Sequence, residues 1–189
     1  MPADRISGTQ TDNRKRLVVR FFISLLLICS AWFLVYNLLL YPGRVIDQPL
    51  TQFIAAVSAS IINFFSPSGV PVTNWVNDLH HPGTLLVQDG KRVFGIMDAC
   101  NGIDLMFIYS AVIILLPNTI RRKLAFLTLG NILLVVFNII RIVSLYFIFR
   151  YSRGIFDFSH HYLFTLLMYA LIFSGWILFI KNRLHEKSG

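Results

Sequence analysis

The sequence predicts an all-α fold: a polytopic bundle of membrane helices with four spans and one interfacial or re-entrant helix. Three observations predict it. Of the 189 residues, 56% are hydrophobic and only 14% are charged, against about a quarter charged in an ordinary soluble domain. The apolar residues fall in runs long enough to cross about 30 Å of hydrocarbon. The 17 Lys and Arg residues, against 9 Asp and Glu, gather beside those runs, where positive charge sets topology. Long apolar runs and only two cysteines exclude disorder and a disulfide-stapled secreted scaffold.

The first span, residues 17–40, follows Arg14, Lys15 and Arg16 and leaves residues 1–16 as a cytoplasmic basic tail. Its basic start resembles a secretory signal. The apolar run exceeds the roughly 7 to 15 residues of such signals and lacks a clean small-x-small cleavage site, so it reads as a retained anchor. Residues 50–65 are apolar but carry Thr51, Gln52, Ser58, Ser60 and Asn63. Pro and Gly punctuation marks residues 66–98 as an external loop. The second span covers 99–116, ends at Pro117 and carries Asp104; the third, 124–149, follows Arg121, Arg122 and Lys123; the fourth, 162–180, precedes Lys181 and Arg183.

Charge settles the doubtful segment, because cytoplasmic loops collect Lys and Arg. If 50–65 does not cross, the cytoplasmic side holds 11 basic residues and the outer side 5, with Arg141 inside the membrane; if it crosses, the split falls to 9 against 7. The first arrangement is the expected one. Both termini are then cytoplasmic, in a multi-pass protein of the inner membrane, and 50–65 lies at the outer interface or dips into it.

Ionisable groups within a span are costly and tend to mark function. Arg141 lies eight residues before the outer end of the third span, roughly 12 Å below the surface. Asn138, three residues earlier, shares its helical face. At the outer start of the second span stand Asp98, Cys100, Asn101, Gly102 and Asp104, with Cys100 and Asp104 expected to stack on one face. His160 and His161 open the fourth span from the same side. Topology thus gathers a thiol, a guanidinium and an imidazole in the outer half of the bilayer.

That set suits nucleophilic chemistry. The thiolate is the reactive form of cysteine and is favoured beside cations and at helix N-termini. An imidazole moves protons near neutral pH. Arginine keeps its proton, so it suits an oxyanion or a carboxylate. The plainer readings are a buried, inert Cys100, an Arg141 that merely neutralises Asp104, and histidines that anchor a helix start. Cys29, mid-helix among apolar neighbours, takes the plain reading. His80 and His81 with Asp78 and Asp89 lack metal-ligand spacing, so no metal and no cofactor are expected.

The motifs resemble the exosortase/archaeosortase family of membrane-embedded cysteine transpeptidases. The resemblance is carried by Ala99-Cys100-Asn101-Gly102, by Asn138-Ile139-Ile140-Arg141-Ile142 in the next span, and by His160 opening the last, over residues 96–180 as the catalytic core. It implies catalytic roles for Cys100, Arg141 and His160, with His161, Asn138, Asp104, Asn101 and Gly102 in support. Archaeal relatives carry Arg at the histidine position, which makes Arg150 and Arg153 distant alternatives. The implied activity is cleavage of a C-terminal sorting signal, composed of a short motif, one transmembrane helix and a basic tail. Transfer of the acyl group follows, to a lipid or polysaccharide acceptor of the envelope or to water. Nucleic acid is not an expected partner. The rival readings are a membrane scaffold, in which Asp104 pairs with Arg141, and a small transporter.

Overall fold

A computed structural model describes residues 3–66, 73–78, 81–88 and 91–185. Helix α1 runs from Ala3–Val35 and continues through a π-helical turn, Tyr36–Leu40. The expected basic tail is therefore helical from Ala3 onward, since no proline stands between Pro2 and Pro42 to interrupt it. Helix α2, Asp47–Phe65, carries Pro49 in its first turn, where the missing N–H costs little. Of the polar residues that made this segment doubtful as a span, Thr51 and Ser58 are buried, together with Asp47 at the helix start, on the same side as Ile54, Ala55, Ala59 and Ile62. Small residues on that side let α2 approach its neighbours closely.

Three antiparallel strands follow: β1 Thr73–Asp78, β2 His81–Gln88 and β3 Lys91–Met97, in the order β1-β2-β3. This corrects two expectations, the all-α class and the loop at 66–98. The physical signal was present in the sequence. Leu85-Leu86-Val87 and Val93-Phe94 flank Asp89-Gly90, the dipeptide best suited to a two-residue hairpin, and Gln88 pairs with Lys91 across it. Reading the Pro and Gly residues as loop punctuation masked a hairpin pattern. Of the discounted metal candidates, His80 and Asp89 lie outside the described residues, and Asp78 and His81 sit in strands.

Beyond β3 a single 3-10 turn, Asp98–Cys100, leads into α3, Ile103–Leu115. Helix α4, Ile120–Tyr151, is followed by a 3-10 turn, the one-turn α5, Phe156–Phe158, a second π-helical turn, Ser159–Leu163, and α6, Phe164–His185. Among the described residues, three helical segments, 15–40, 120–151 and 153–181, are long and apolar enough to cross a membrane. The expected second span is the shorter α3, whose 13 residues reach only about 20 Å; α2 is not among the three.

Helix α4 lies between two cores. One joins α2, the sheet and α4 through Ile54, Ile62, Leu86, Ile96, Ile142 and Tyr146. The other joins α3, α4 and α6 through Tyr109, Ile113, Leu134, Met168, Ile172 and Phe179. In the second, the Tyr109 ring passes against Gly130 and Gly175, where a Cβ at Gly130 would collide with the ring, and its hydroxyl donates to the Phe126 carbonyl at 3.0 Å. The apolar stretch of α1 is unburied along its span. It meets α3 where Trp32 stacks on Phe107, with ring centroids 4.3 Å apart.

Candidate active site

The nucleophile candidate sits on a turn that the rest of the chain holds in place. Gly102 has φ +84°, a left-handed conformation that side chains resist. It breaks the path between Cys100 and α3. The expected stacking of Cys100 over Asp104 therefore fails: the helix starts at Ile103, not Ala99, and Asp104 turns outward to an exposed position near Trp32 Nε1, 3.5 Å away. Asp104 and Arg141 form no ion pair among the described residues, which removes the packing pair on which the scaffold reading stood.

Buried polar groups need partners, and around this turn most have them. Asp98, only 1% exposed, receives Arg44 in a two-pronged pair, Nε to Oδ2 at 2.7 Å and Nη2 to Oδ1 at 3.1 Å, and the Thr51 hydroxyl at 2.8 Å. Arg44 itself has φ +48°, a strained setting for a residue with a side chain, so the clamp is held against a local cost. Asn101 donates to Asp47 Oδ1 at 2.9 Å and accepts from the Ile103 N–H at 2.9 Å; Tyr36, in the first π-helical turn, donates to the same Asp47 oxygen at 2.8 Å. Asn138 on α4 donates to the carbonyls of Cys100 and Asn101, both at 3.0 Å. Tyr36, Arg44, Asp47 and Thr51 were not legible as site residues, and Asp98 was visible at the helix entrance without its role. The available signal was an acidic residue, Asp47, opening an otherwise apolar segment.

One cavity of about 110 Å³ collects the three residues singled out by the sequence. Its walls are Phe94, Gly95, Ile96 and Met97 of β3, Cys100, then Arg141, Ile142 and Leu145 of α4, Phe156 and His160. Cys100 Sγ stands 3.9 Å from His160 Nε2. The His160 ring is stacked on Phe156, with centroids 5.8 Å apart and planes 11° from parallel, which fixes its orientation. The wide π-helical turn carries His160 half-buried into the cavity and leaves His161 exposed. Such turns recur at functional sites because they re-aim one side chain without ending the helix. Arg153 lies over the Phe149 ring instead of lining the cavity, and Arg150 is exposed.

Arg141 completes the arrangement. It lines the same cavity as Cys100 and His160, and its buried Nε has no hydrogen-bond partner. A nucleophile, a proton carrier and an unengaged cationic donor in one small cavity have the parts needed for acyl transfer. Asn138 gives both of its amide N–H bonds to backbone carbonyls, while its buried Oδ1 has no partner. Its place is to hold the Cys100 backbone. Gly102 and Asn101 shape the turn, while Asp104 and His161 stand away from the cavity.

No curated protein and no solved structure matches the chain. A model of the transmembrane exosortase family matches residues 16–181, a wider stretch than the three motifs alone cover. With most of its length matched, the chain belongs to the transmembrane exosortase family.

Proposed function

We propose that this chain is a membrane-embedded cysteine transpeptidase that cleaves the C-terminal sorting signal of envelope proteins and passes the acyl group to an envelope acceptor. The observation that carries the reading is the meeting of Cys100, Arg141 and His160 in one cavity, with sulfur and imidazole nitrogen 3.9 Å apart. His160 takes the thiol proton as Cys100 attacks the carbonyl carbon of the scissile bond. The tetrahedral oxyanion is met by the free Arg141 donor. Collapse breaks the C–N bond, the leaving amine takes the proton from His160, and a thioester on Cys100 remains. A hydroxyl or amine of the acceptor then attacks the thioester and gives its proton to His160, which returns it to sulfur as the C–S bond breaks.

The reading places the cavity toward the outer face of the inner membrane, with both termini cytoplasmic, in keeping with the distribution of Lys and Arg. Substrates would bring a short motif, one transmembrane helix and a basic tail, so that the bilayer itself aligns the cleavage region with the site.

The covalent intermediate supplies the test. Enzyme purified in detergent with its precursor, away from the acceptor, is expected to carry the N-terminal part of the substrate on Cys100, seen by mass spectrometry and released by neutral hydroxylamine. Cleaved substrate without an adduct on Cys100 would overturn the proposal. The two histidines separate in the same assay. His160→Ala is expected to slow acylation by about 10²- to 10⁴-fold, the worth of a positioned acid/base, whereas His161→Ala stays within about twofold, as exposed substitutions usually do. Equal losses would reject the assignment of His160.

A further inference from the structure

We propose that the cleavage region of the substrate binds as an added β-strand along the free edge of β3, leading its scissile bond to Cys100. This rests on the transpeptidase reading and specifies how that site takes its peptide.

Strand β3 pairs with β2 on one side only and is an edge of the sheet among the described residues. An edge strand presents unpaired backbone N–H and C=O groups, a template for another extended chain. Four consecutive residues of β3, Phe94, Gly95, Ile96 and Met97, line the cavity that holds Cys100, Arg141 and His160. Side chains of a strand alternate between its two faces. A wall made by four residues in a row is therefore a wall made by the strand's edge, with its backbone included. Inward-facing Ile96 is buried against the core while Gly95 and Met97 are exposed.

Position supplies the rest. Strand β3 runs directly into the Asp98–Cys100 turn, so a peptide paired with Phe94 to Met97 places its next carbonyl beside the sulfur. Those four residues correspond to roughly 13 Å of extended chain. The lining from the helices includes apolar Ile142, Leu145 and Phe156 beside Arg141, and His160 stands at the cysteine. The site therefore suits an extended segment with an apolar side chain directed at α4, held by main-chain hydrogen bonds. Strand addition of this kind gives affinity through the backbone and specificity through alternate side chains.

The test uses the full-length enzyme in nanodiscs and a semisynthetic substrate, made of the junction peptide identified from the Cys100 adduct ligated to its own transmembrane segment. Each backbone amide near the junction, other than the scissile one, is replaced in turn by an ester, which removes a single N–H donor. Strand addition predicts KM increases of about tenfold at alternate positions, with little change between them, the loss expected for one well-formed hydrogen bond. Cleavage with no two-residue alternation in KM would overturn strand addition and leave the transpeptidase intact. An unmodified substrate that neither acylates Cys100 nor is cleaved would overturn the transpeptidase reading, and strand addition with it.

Discussion

Cys100→Ala is expected to stop substrate processing completely, with uncleaved precursor accumulating in the membrane while the variant itself inserts at normal levels. Removing the attacking atom of a covalent mechanism costs about 10⁴-fold or more, because no other group in the cavity replaces it. The cost to the fold is small, since Cys100 is only half-buried and the turn is held by the carbonyls and side chains of its neighbours, not by the sulfur. Immunoblots of precursor and product, with membrane fractionation of the variant, check both halves of the statement. Normal processing by Cys100→Ala would place the chemistry elsewhere. Loss of the protein from the membrane calls for Cys100→Ser, which preserves size and retains a far weaker nucleophile.

Arg141→Lys is expected to lower kcat by about 10²- to 10³-fold, the usual worth of one donor to a developing oxyanion. Lysine keeps the charge but lacks the planar fork of donors and has no nitrogen at the position of the buried, unpartnered Nε. The division between constants identifies what the guanidinium meets. A fall in kcat with little change in KM assigns it to the transition state. A rise in KM at constant kcat would assign it to a group already charged in the bound substrate. Wild-type kinetics in the lysine variant would reduce Arg141 to a packing residue.

The meeting of Cys100, Arg141 and His160 in one cavity could be read from the sequence because all three are rare residue types in apolar surroundings. Arg141 stood out as a cation within a span, Asn138 as its neighbour one turn away, and Cys100 with His160 as polar punctuation at helix starts. The errors have specific physical origins. The Cys100 and Asp104 spacing matched one helical turn, but the left-handed backbone at Gly102 delays the helix and turns Asp104 away. The sheet was hidden because Asp89-Gly90 fits a loop as well as a hairpin, and only the apolar runs flanking it, Leu85-Leu86-Val87 and Val93-Phe94, distinguish them.

The support of the nucleophile was the least legible part. Arg44, Asp47 and Thr51 lie some fifty residues before the turn they hold, and no periodicity within α2 points to a partner so distant. Asp98 was visible at the helix entrance, yet its role depends on Arg44, whose strained backbone has no sequence signature apart from the neighbouring Pro42-Gly43. Contacts between distant segments set these roles, and pattern reading is blind to them.

Asn138 and Arg141 share one face of α4, the first gripping the backbone that carries the nucleophile and the second offering the free donor. Their spacing is therefore a length of helix, about 4.5 Å along the axis. A continuous helix works as a ruler. Tilting or sliding α4 moves anchor and donor together, so the offset between sulfur and guanidinium survives distortions that would misalign a site assembled from loops.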